Sequence, residues 1–417
     1  MTTTPSLAAI SGVLPAERAR DVAAYALDGV TPGYALRPES TDEVSRLLAA
    51  ADAAGIAVAP LGARTATRMG RPLAAYDLAL DTTGLDRVVA YEPADLTVTV
   101  GAGMSLARLQ QVLGEHGQYL PADPPPDDSV TIGGLLASAR PGAWRGHLPA
   151  ARDLVLGVTS VGASGIVTHS GGRVVKNVSG YDLHRMHTGA LGAFGVIVEA
   201  TFKLAPAPAQ TRSFAIACAT LEQAAEVAFR LWDQSLPLRA VSLLSPAAAN
   251  LAGLPATPHV LLECMGGEVV LARCAEAVHR EAVLTRATAA DVAPAEAWTA
   301  LRRRAGDLDG VVLRIGVPSS RVAAAVDEAE RVGCTAWGHL AAGSVLAHAP
   351  ALDATTVAAL RTYAEAVGGF LQIDSASPAL RLAIDPFGAA DTDLVSALKH
   401  EFDPRGTLSR GRWQEGV

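Results

Sequence analysis

The stretch "GALGAFGVIVEATFKL", residues 189–204, decides the fold of this chain. Glycine recurs every three residues, at 189, 192 and 195, and an alternating apolar strand follows directly. Glycine destabilises the interior of a regular element, so its repeated use needs another reason. At a turn, it allows a backbone to come within contact distance of a ligand. The stretch therefore predicts a ligand held by main-chain atoms where a strand begins.

Two further loops before residue 205 have the same character. They are "PLGARTATRMG" (60–70) and "PADPPPDDSVTIGG" (121–134). Each of them alone is typical of an ordinary turn. Together with 189–204 they favour one extended ligand, because oriented main-chain N–H groups hold phosphates without many lysines.

Composition and motif spacing argue against several other classes of protein. The net charge is −8 and the longest basic run is "LRRRAG" (301–306), which predicts no nucleic-acid partner. The four cysteines form no C-x-x-C pair, so the usual spacing for zinc or an iron–sulfur cluster is absent. "VGAGMSL" (100–106) lacks the third glycine of a dinucleotide fingerprint. His184 and His187 have no metal-ligand partner at suitable spacing and are predicted to lie on a polar helix face.

A length of 417 residues predicts two domains, and "APAPAQT" (205–211) is the best boundary between them. Before it, Ser40 and Glu43 form a capping box at the start of a helix, and 153–172 is predicted to be a β-hairpin. After it, the order β-α-β-β-α occurs twice. Two such halves predict one antiparallel sheet covered by helices.

The block 171–204 and the ending "FDPRGTLSRGRW" (402–413) carry a family resemblance. The block resembles the Gly-Gly-x-Val-x-Lys-Asn-Val-x-Gly-Tyr-Asp-Leu segment of the vanillyl-alcohol-oxidase/PCMH flavoproteins, and within them the E subunits of bacterial glycolate oxidases. The ending resembles the Phe-Asp-Pro-x-Gly-x-x-Asn-Pro-Gly-Arg terminus of the same family.

The resemblance implies an α+β fold in three parts. A PCMH-type FAD-binding domain of two α/β subdomains would span 1–205. A ferredoxin-like α+β cap with an antiparallel sheet would span 206–395. A C-terminal tail, 396–417, would return to the FAD-binding domain.

The resemblance also implies which residues surround FAD. The pyrophosphate, the flavin and the adenosine or ribityl portion would be contacted by Gly62, Ala63, Arg64, Thr65, Pro121, Asp123, Thr131, Ile132, Gly133, Gly134, Gly195, Val196 and Ile197. Beside the domain interface it would place Lys176, Asn177, Tyr181 and Asp182.

For chemistry, the resemblance implies hydride transfer from the carbinol carbon of a 2-hydroxy acid to flavin N5. Arg314 would hold the substrate carboxylate and His339, in "WGHLAAGSVLAH" (337–348), would take the hydroxyl proton. Two alternatives remain open from the residues themselves. His339 is also explained as a satisfied polar strand residue, and Arg314 as half of a salt bridge across the sheet.

Two functions follow as expectations. One is an FAD-dependent, glycolate-type oxidoreductase subunit that works with a second FAD subunit and an iron–sulfur subunit. The other is a non-catalytic scaffold subunit, which is favoured by Ala63 and Arg64 in the first loop and by the imperfect histidine motif at 337–348, whereas the intact block 171–204 favours the oxidoreductase. The tail has Ser409-Arg410 where the family usually has Asn-Pro. The N-terminus does not read as a signal peptide and no apolar run is long enough for a membrane span. The expected location is the cytoplasm, with contact to the inner face of the membrane through partners.

Overall fold

The computed structural model describes residues 7–125, 129–173, 181–290, 293–388 and 392–413. Its first half alternates short strands and helices. The strands are β1 (Tyr34–Leu36), β2 (Val58–Leu61), β3 (Leu78–Asp81), β4 (Val88–Glu92), β5 (Thr97–Gly101), β6 (Gln118–Tyr119), β7 (Val155–Val161), β8 (Val167–Gly171), β9 (Val196–Lys203) and β10 (Ala205–Pro206). The helices are α1 (Thr41–Ala54), α2 (Leu106–Gly114), α3 (Ile132–Ser138) and α4 (Ala151–Leu154).

Two sheets organise this half. The first is parallel, with strand order β1-β3-β2, and the second is antiparallel, with order β4-β5-β9-β7-β8. The predicted hairpin is confirmed, since β7 pairs antiparallel with β8. The glycine-rich stretch leads into β9, the central strand of the five, and the side chains of β9 pack into the cores on both sides of it.

The start of α1 shows how local sequence fixes these elements. The Ser40 hydroxyl accepts a hydrogen bond from the Glu43 backbone N–H at 3.2 Å, as predicted. The Glu43 carboxylate does not accept the hydrogen bond from the Ser40 backbone N–H that a complete capping box has. It accepts from the Glu39 N–H at 2.7 Å instead and pairs with Arg18. Gly55 then ends the helix in the left-handed conformation.

The second half contains one large sheet. Its strands are β11 (Gln210–Ala217), β12 (Leu238–Leu244), β13 (His259–Gly266), β14 (Thr288–Ala290), β15 (Val311–Gly316), β16 (Thr335–His339), β17 (Ser344–Ala349) and β18 (Phe370–Ser375). Its helices are α5 (Leu221–Trp232), α6 (Pro246–Leu251), α7 (Glu268–Thr285), α8 (Ala297–Ala305), α9 (Val322–Arg331), α10 (Ala354–Ala366), α11 (Pro378–Ala383) and α12 (Thr392–Phe402).

The strand order β14-β11-β13-β12-β16-β17-β15-β18 confirms the two predicted halves. Each half has the ferredoxin-like order, and the halves join where β12 pairs antiparallel with β16. One face packs against α5, α7, α9 and α10. The other face packs against α6 and α8, around the buried ring of Trp337.

After α12 the chain returns to the first half, where Leu408 bridges to Val58 of β2.

The four cysteines are buried and form no disulfide. Within the described residues, no helix has the length and apolar character that crossing a bilayer requires. Across the same ranges, no group of three or more His, Cys, Asp or Glu side chains is positioned to hold a metal ion. The domain boundaries at 205 and 395 remain predictions.

Candidate functional site: a cofactor cleft and an adjoining cavity

A long cleft, here called the cofactor cleft, opens between four segments of the first half and the tail. These are the loop after β2, the start of α3, the glycine loop before β9, and the residues that follow α12. The walls of the cleft include Gly62, Ala63, Arg64, Thr65, Thr67, Thr131, Gly133, Gly134, Ser138, His187, Leu191, Gly192, Gly195, Val196, Ile197, Ser409 and Arg412.

The loop after β2 and the start of α3 meet at Gly62. Thr131 caps α3, with its Oγ1 accepting from the Gly134 N–H at 3.2 Å. A Cβ built at Gly62 would overlap that Oγ1 and would lie 3.1 Å from Thr131 Cβ. Only glycine therefore allows these two loops to approach as closely as they do.

The glycine loop is fastened to the same helix by its main chain. The Gly189 N–H donates to Leu136 O at 2.9 Å and the Leu191 N–H to Ala137 O at 3.0 Å. Gly192 has φ +76°, and a Cβ there would lie 2.6 Å from Pro60 Cγ. The three loops that the sequence grouped together thus form one continuous wall.

Lys399 joins the tail to this wall from behind. Its buried Nζ donates to Ala193 O at 2.8 Å, to Leu408 O at 2.7 Å and to the Asp403 carboxylate at 2.7 Å. Ser409 then lies at the cleft, where its hydroxyl donates to Leu191 O at 2.9 Å. Ser409 therefore ties the tail to the glycine loop.

Arg412 brings a buried positive charge to the cleft. Its Nη2 donates to Thr67 O, and its Nη1 lies 3.8 Å from Asp28 but makes no hydrogen bond. The same Asp28 carboxylate accepts a hydrogen bond from buried Arg381. Burial and the charge of Arg381 lower the pKa of Arg412 to about 10. Two arginines therefore share one carboxylate, which leaves an excess positive charge beside the cleft.

Arg64, an unusual residue for this loop, is directed onto the neighbouring segment. Its backbone has φ +63°, its guanidinium carbon lies 4.7 Å from the centre of the Tyr25 ring, and Nη1 donates to Ala24 O at 3.1 Å.

The predicted polar face for His184 and His187 is wrong, since both are buried. His187 lines the cleft, and burial lowers its pKa to about 4, so its ring is neutral.

Three predicted FAD residues lie elsewhere. Ile132 is fully buried in the core, while Pro121 and Asp123 line other cavities. The remaining ten predicted residues line the cofactor cleft. Tyr181 is 91% exposed, and Lys176 and Asn177 lie outside the described residues. Gly192, one of the three regularly spaced glycines, also lines the cleft. His187 and Arg412 were not among the predicted cofactor residues, and the terminal Gly-Arg was the available signal for Arg412.

A second cavity of about 640 Å³, here called the tryptophan cavity, lies between the 123–144 loops and the α6/α8 face of the large sheet. Trp144, Trp298 and Trp337 line it, together with Asp123 and His339. The Asp123 carboxylate accepts from the Trp144 N–H at 3.0 Å, and burial raises its pKa to about 7. Asp123 therefore holds the 142–144 loop in place, and its contact with FAD stays a prediction.

His339 faces the tryptophan cavity from β16. It is 4% exposed, and Nδ1 lies 2.8 Å from Ser242 Oγ on the neighbouring strand. Burial lowers its pKa to about 4, so the imidazole is neutral near pH 7. The serine contact fits the alternative of a satisfied strand residue, while the neutral ring at a cavity wall has the protonation state that a general base needs.

Arg314 on β15 forms the salt bridge that the sequence left open as an alternative. It contacts Asp374 on β18 at 3.3 Å and donates to Gln372 at 2.8 Å. Asp374 also faces Arg140, at 3.7 Å. Arg140 donates to Thr65 O at 3.4 Å, on the cofactor cleft, and to Ala305 O, on the tryptophan cavity. Arg314 itself lies outside the walls of both spaces described above.

The main-chain walls of the cofactor cleft, at positions where a Cβ would overlap its neighbours, fit a long phosphate-bearing cofactor. Residues 32–171 match the family model described as "FAD binding domain". The chain therefore carries an FAD-binding domain of the PCMH type, and FAD is its cofactor.

Curated relatives place this domain among proteins named for 2-hydroxy acids. The chain is 32% identical over 212 residues to glycolate oxidase subunit GlcE of Escherichia coli (strain K12), covering 50% of this chain and 59% of that protein. It is 30% identical over 244 residues to the mitochondrial D-lactate dehydrogenase [cytochrome] of Arabidopsis thaliana, covering 57% and 42%. The matches thus span only about half the length of these relatives.

Solved structures show the same fold over nearly the whole chain. p-Cresol methylhydroxylase with substrate bound has a TM-score of 0.76 at 14% identity, covering 97% of this chain and 96% of that one. 4-Ethylphenol oxidase from Gulosibacter chungangensis has a TM-score of 0.73 at 15% identity, covering 99% of each. At these identities the likeness concerns the fold alone.

Proposed function

We propose that this chain is the FAD-binding subunit of a 2-hydroxy-acid oxidoreductase. The acid loses a hydride from its carbinol carbon and a proton from its hydroxyl group, and becomes a 2-oxo acid. FAD supplies the two-electron acceptor for that hydride. The relatives named for glycolate, D-lactate and D-2-hydroxyglutarate support this class of substrate.

The observation that carries the proposal is the pair of arginines on one aspartate. Arg140 and Arg314 both face Asp374, so two positive charges meet one negative charge in a buried position. Burial lowers the pKa of Arg140; the charge of Asp374 opposes this shift, and the charge of Arg314 adds to it. Nε of Arg140 has no hydrogen-bond partner. A substrate carboxylate at Arg140 would supply the missing negative charge.

His339 is the proposed proton acceptor. Burial lowers the pKa of His339 to about 4, which keeps the ring unprotonated near pH 7 and also makes it a weaker base than an imidazole whose pKa lies near the working pH. The contact from Ser242 fixes the orientation of the ring. Near pH 7 the neutral ring is available to take the substrate hydroxyl proton.

Partners are proposed on the names of the relatives. Two of them are glycolate oxidase subunits, GlcE and GlcD, the latter from Bacillus subtilis (strain 168). We propose that reduced FAD passes its electrons to a second flavoprotein chain and an iron–sulfur chain. Co-purification of the tagged full chain with neighbouring gene products tests this assembly.

The test of the activity is the visible spectrum of the FAD-loaded chain under anaerobic conditions. Glycolate, D-lactate and D-3-phenyllactate are added separately, and loss of the oxidised-flavin absorbance is followed with time. His339→Gln should slow bleaching about 10²–10⁴-fold while FAD binding is unchanged. Arg140→Met should raise the acid concentration needed for half-maximal bleaching, and Arg140→Lys should restore part of the loss. Bleaching that is equally fast in His339→Gln would exclude His339 as the base.

The second candidate is an accessory subunit that binds FAD without turnover. The ion pair and the Gln372 contact of Arg314 favour it, because they occupy the predicted anion holder. A yellow chain that no 2-hydroxy acid bleaches, alone or with its co-purified partners, would support this candidate and overturn the first.

A further inference from the structure

Arg140 contacts the walls of both the cofactor cleft and the tryptophan cavity, and its own side chain lines a third cavity that shares Asp123, Gly142 and Trp144 with the tryptophan cavity. Arg140 donates to Thr65 O, on the wall of the cleft, and to Ala305 O, on the wall of the cavity. A carboxylate held at Arg140 would therefore stand between the two spaces. The rest of the same molecule could then extend into the cavity.

Aromatic rings dominate the cavity. Three of the five tryptophans of the chain line it, and Trp337 forms a fully buried part of the wall at 1% exposure. The other two rings are held by polar partners. The Arg239 guanidinium lies 3.5 Å from the centre of the Trp144 ring, and Trp298 Nε1 donates to Ser213 Oγ at 3.0 Å. Such fixed, partly exposed rings are suited to packing against another aromatic group.

The charged groups of this region largely compensate one another. Glu263 lines the cavity and pairs with Arg239 at 3.5 Å. Asp123 lies near the positive charges of Arg302 and Arg239, and Arg302 also lines the cavity. Glu263 compensates Arg239, whereas Asp123, with a pKa of about 7, compensates Arg302 only in part at neutral pH. The tryptophan rings add packing area to these walls.

The size of the cavity also favours a larger substituent. The space between these walls is greater than the hydrogen of glycolate or the methyl group of lactate needs. We propose that the tryptophan cavity binds the aromatic side chain of the substrate, so that this chain acts on an aryl-bearing 2-hydroxy acid. This inference rests on the proposed 2-hydroxy-acid oxidation.

Binding is measured first with acids that cannot be oxidised at a carbinol carbon. The probes are 3-phenylpropionate and propionate, titrated calorimetrically into the FAD-loaded full chain. Burial of a phenyl group should make 3-phenylpropionate bind about 10- to 100-fold more tightly. It should also change the tryptophan fluorescence, whereas propionate should not. Equal affinities of the two probes would overturn the inference.

Cavity variants locate the binding. Thr299→Trp fills the cavity from α8 and should remove the advantage of the phenyl group. Thr362→Trp, an exposed position on α10, is the matched control and should keep the advantage. If Thr299→Trp fails to fold, the comparison of Trp298→Leu with Trp298→Phe replaces it. The leucine variant should lose most of the phenyl advantage and the phenylalanine variant should keep most of it. If both Thr299→Trp and Trp298→Leu keep the higher affinity for 3-phenylpropionate, the proposed binding site is wrong.

Substrate turnover separates failure of this inference from failure of the proposed function. D-3-phenyllactate should bleach the flavin with at least tenfold higher kcat/KM than D-lactate. If both acids bleach it equally well, oxidation stands and the aromatic preference is wrong. If 3-phenylpropionate binds tightly but no hydroxy acid bleaches the flavin, the site stands and the oxidation is wrong.

Discussion

Gly62→Ala tests whether close approach of two loops forms the cofactor cleft. The new methyl group would overlap Thr131 Oγ1, the atom that caps α3. Overpacking of this kind costs about 1–3 kcal/mol. If the loops move apart to relieve it, the cleft wall moves as well. The FAD dissociation constant should then rise about tenfold or more, since tenfold corresponds to about 1.4 kcal/mol.

The clashing residue is Thr131, so a double-mutant cycle measures the energy of the clash separately. Thr131→Ala alone loses the helix cap, at about 0.5–2 kcal/mol. In the double variant the overlapping oxygen is gone and the nearest atom, Thr131 Cβ, is 3.1 Å away. The two losses in free energy of unfolding should therefore not add. The double variant should lose about 1–2 kcal/mol less than the sum of the two single-variant losses.

The assays are urea unfolding of the FAD-free chain and titration of FAD by its fluorescence. Gly114→Ala, in the last turn of α2, is the matched control, because a Cβ there meets nothing within 4 Å. It should leave FAD binding unchanged and should not lower the stability, since alanine is the better helix former. Additive costs in the cycle, or FAD affinity in Gly62→Ala equal to that of the control, would refute the close-approach reasoning.

Three further predictions concern buried ionisable groups. Lys399→Met leaves Asp403 without its buried cation and should cost about 3–5 kcal/mol in urea unfolding; a loss below about 1 kcal/mol would exclude a holding role for Lys399. Burial lowers the pKa of His187 to about 4, so the unfolded chain binds more protons between pH 6.5 and 4, and stability should fall as pH falls through that window. His187→Gln should flatten this part of the pH–stability curve, and an unchanged curve would contradict the pKa. Burial raises the pKa of Asp123 to about 7, so its contribution is lost as pH rises from about 4 through 7, and Asp123→Asn should reduce that loss.

Local signals made much of the fold predictable from the sequence. The Ser40 cap, the 155–171 hairpin and the two β-α-β-β-α-β halves of the large sheet each depend on residues close together in the chain. The glycine loops were recognisable for the same reason, since each loop is short. Their meeting in one cleft required the assumption of a shared ligand, and the packing of Gly62 on Thr131 and of Gly192 on Pro60 agrees with it.

The polar contacts of the site were much less predictable. Asp123 sits in a glycine- and proline-rich loop, and nothing local distinguishes a residue that binds FAD from one that holds the 142–144 turn. Arg140 is 165 residues from Ala305, which it contacts. Which carboxylate neutralises which arginine is decided by tertiary packing, so the shared role of Asp374 has no sequence signature.

The two arginine pairs follow one physical logic. Arg140 with Arg314, and Arg381 with Arg412, each share a single aspartate. Arg140 of the first pair and both arginines of the second contact main-chain oxygens of the 65–70 loop. An unbalanced buried charge is costly, because desolvation is repaid only when an opposite charge approaches. The chain without ligands therefore bears this cost at two points around the cleft. Negatively charged groups of FAD and of the acid would remove it, so the excess charge favours the loaded state over the empty one.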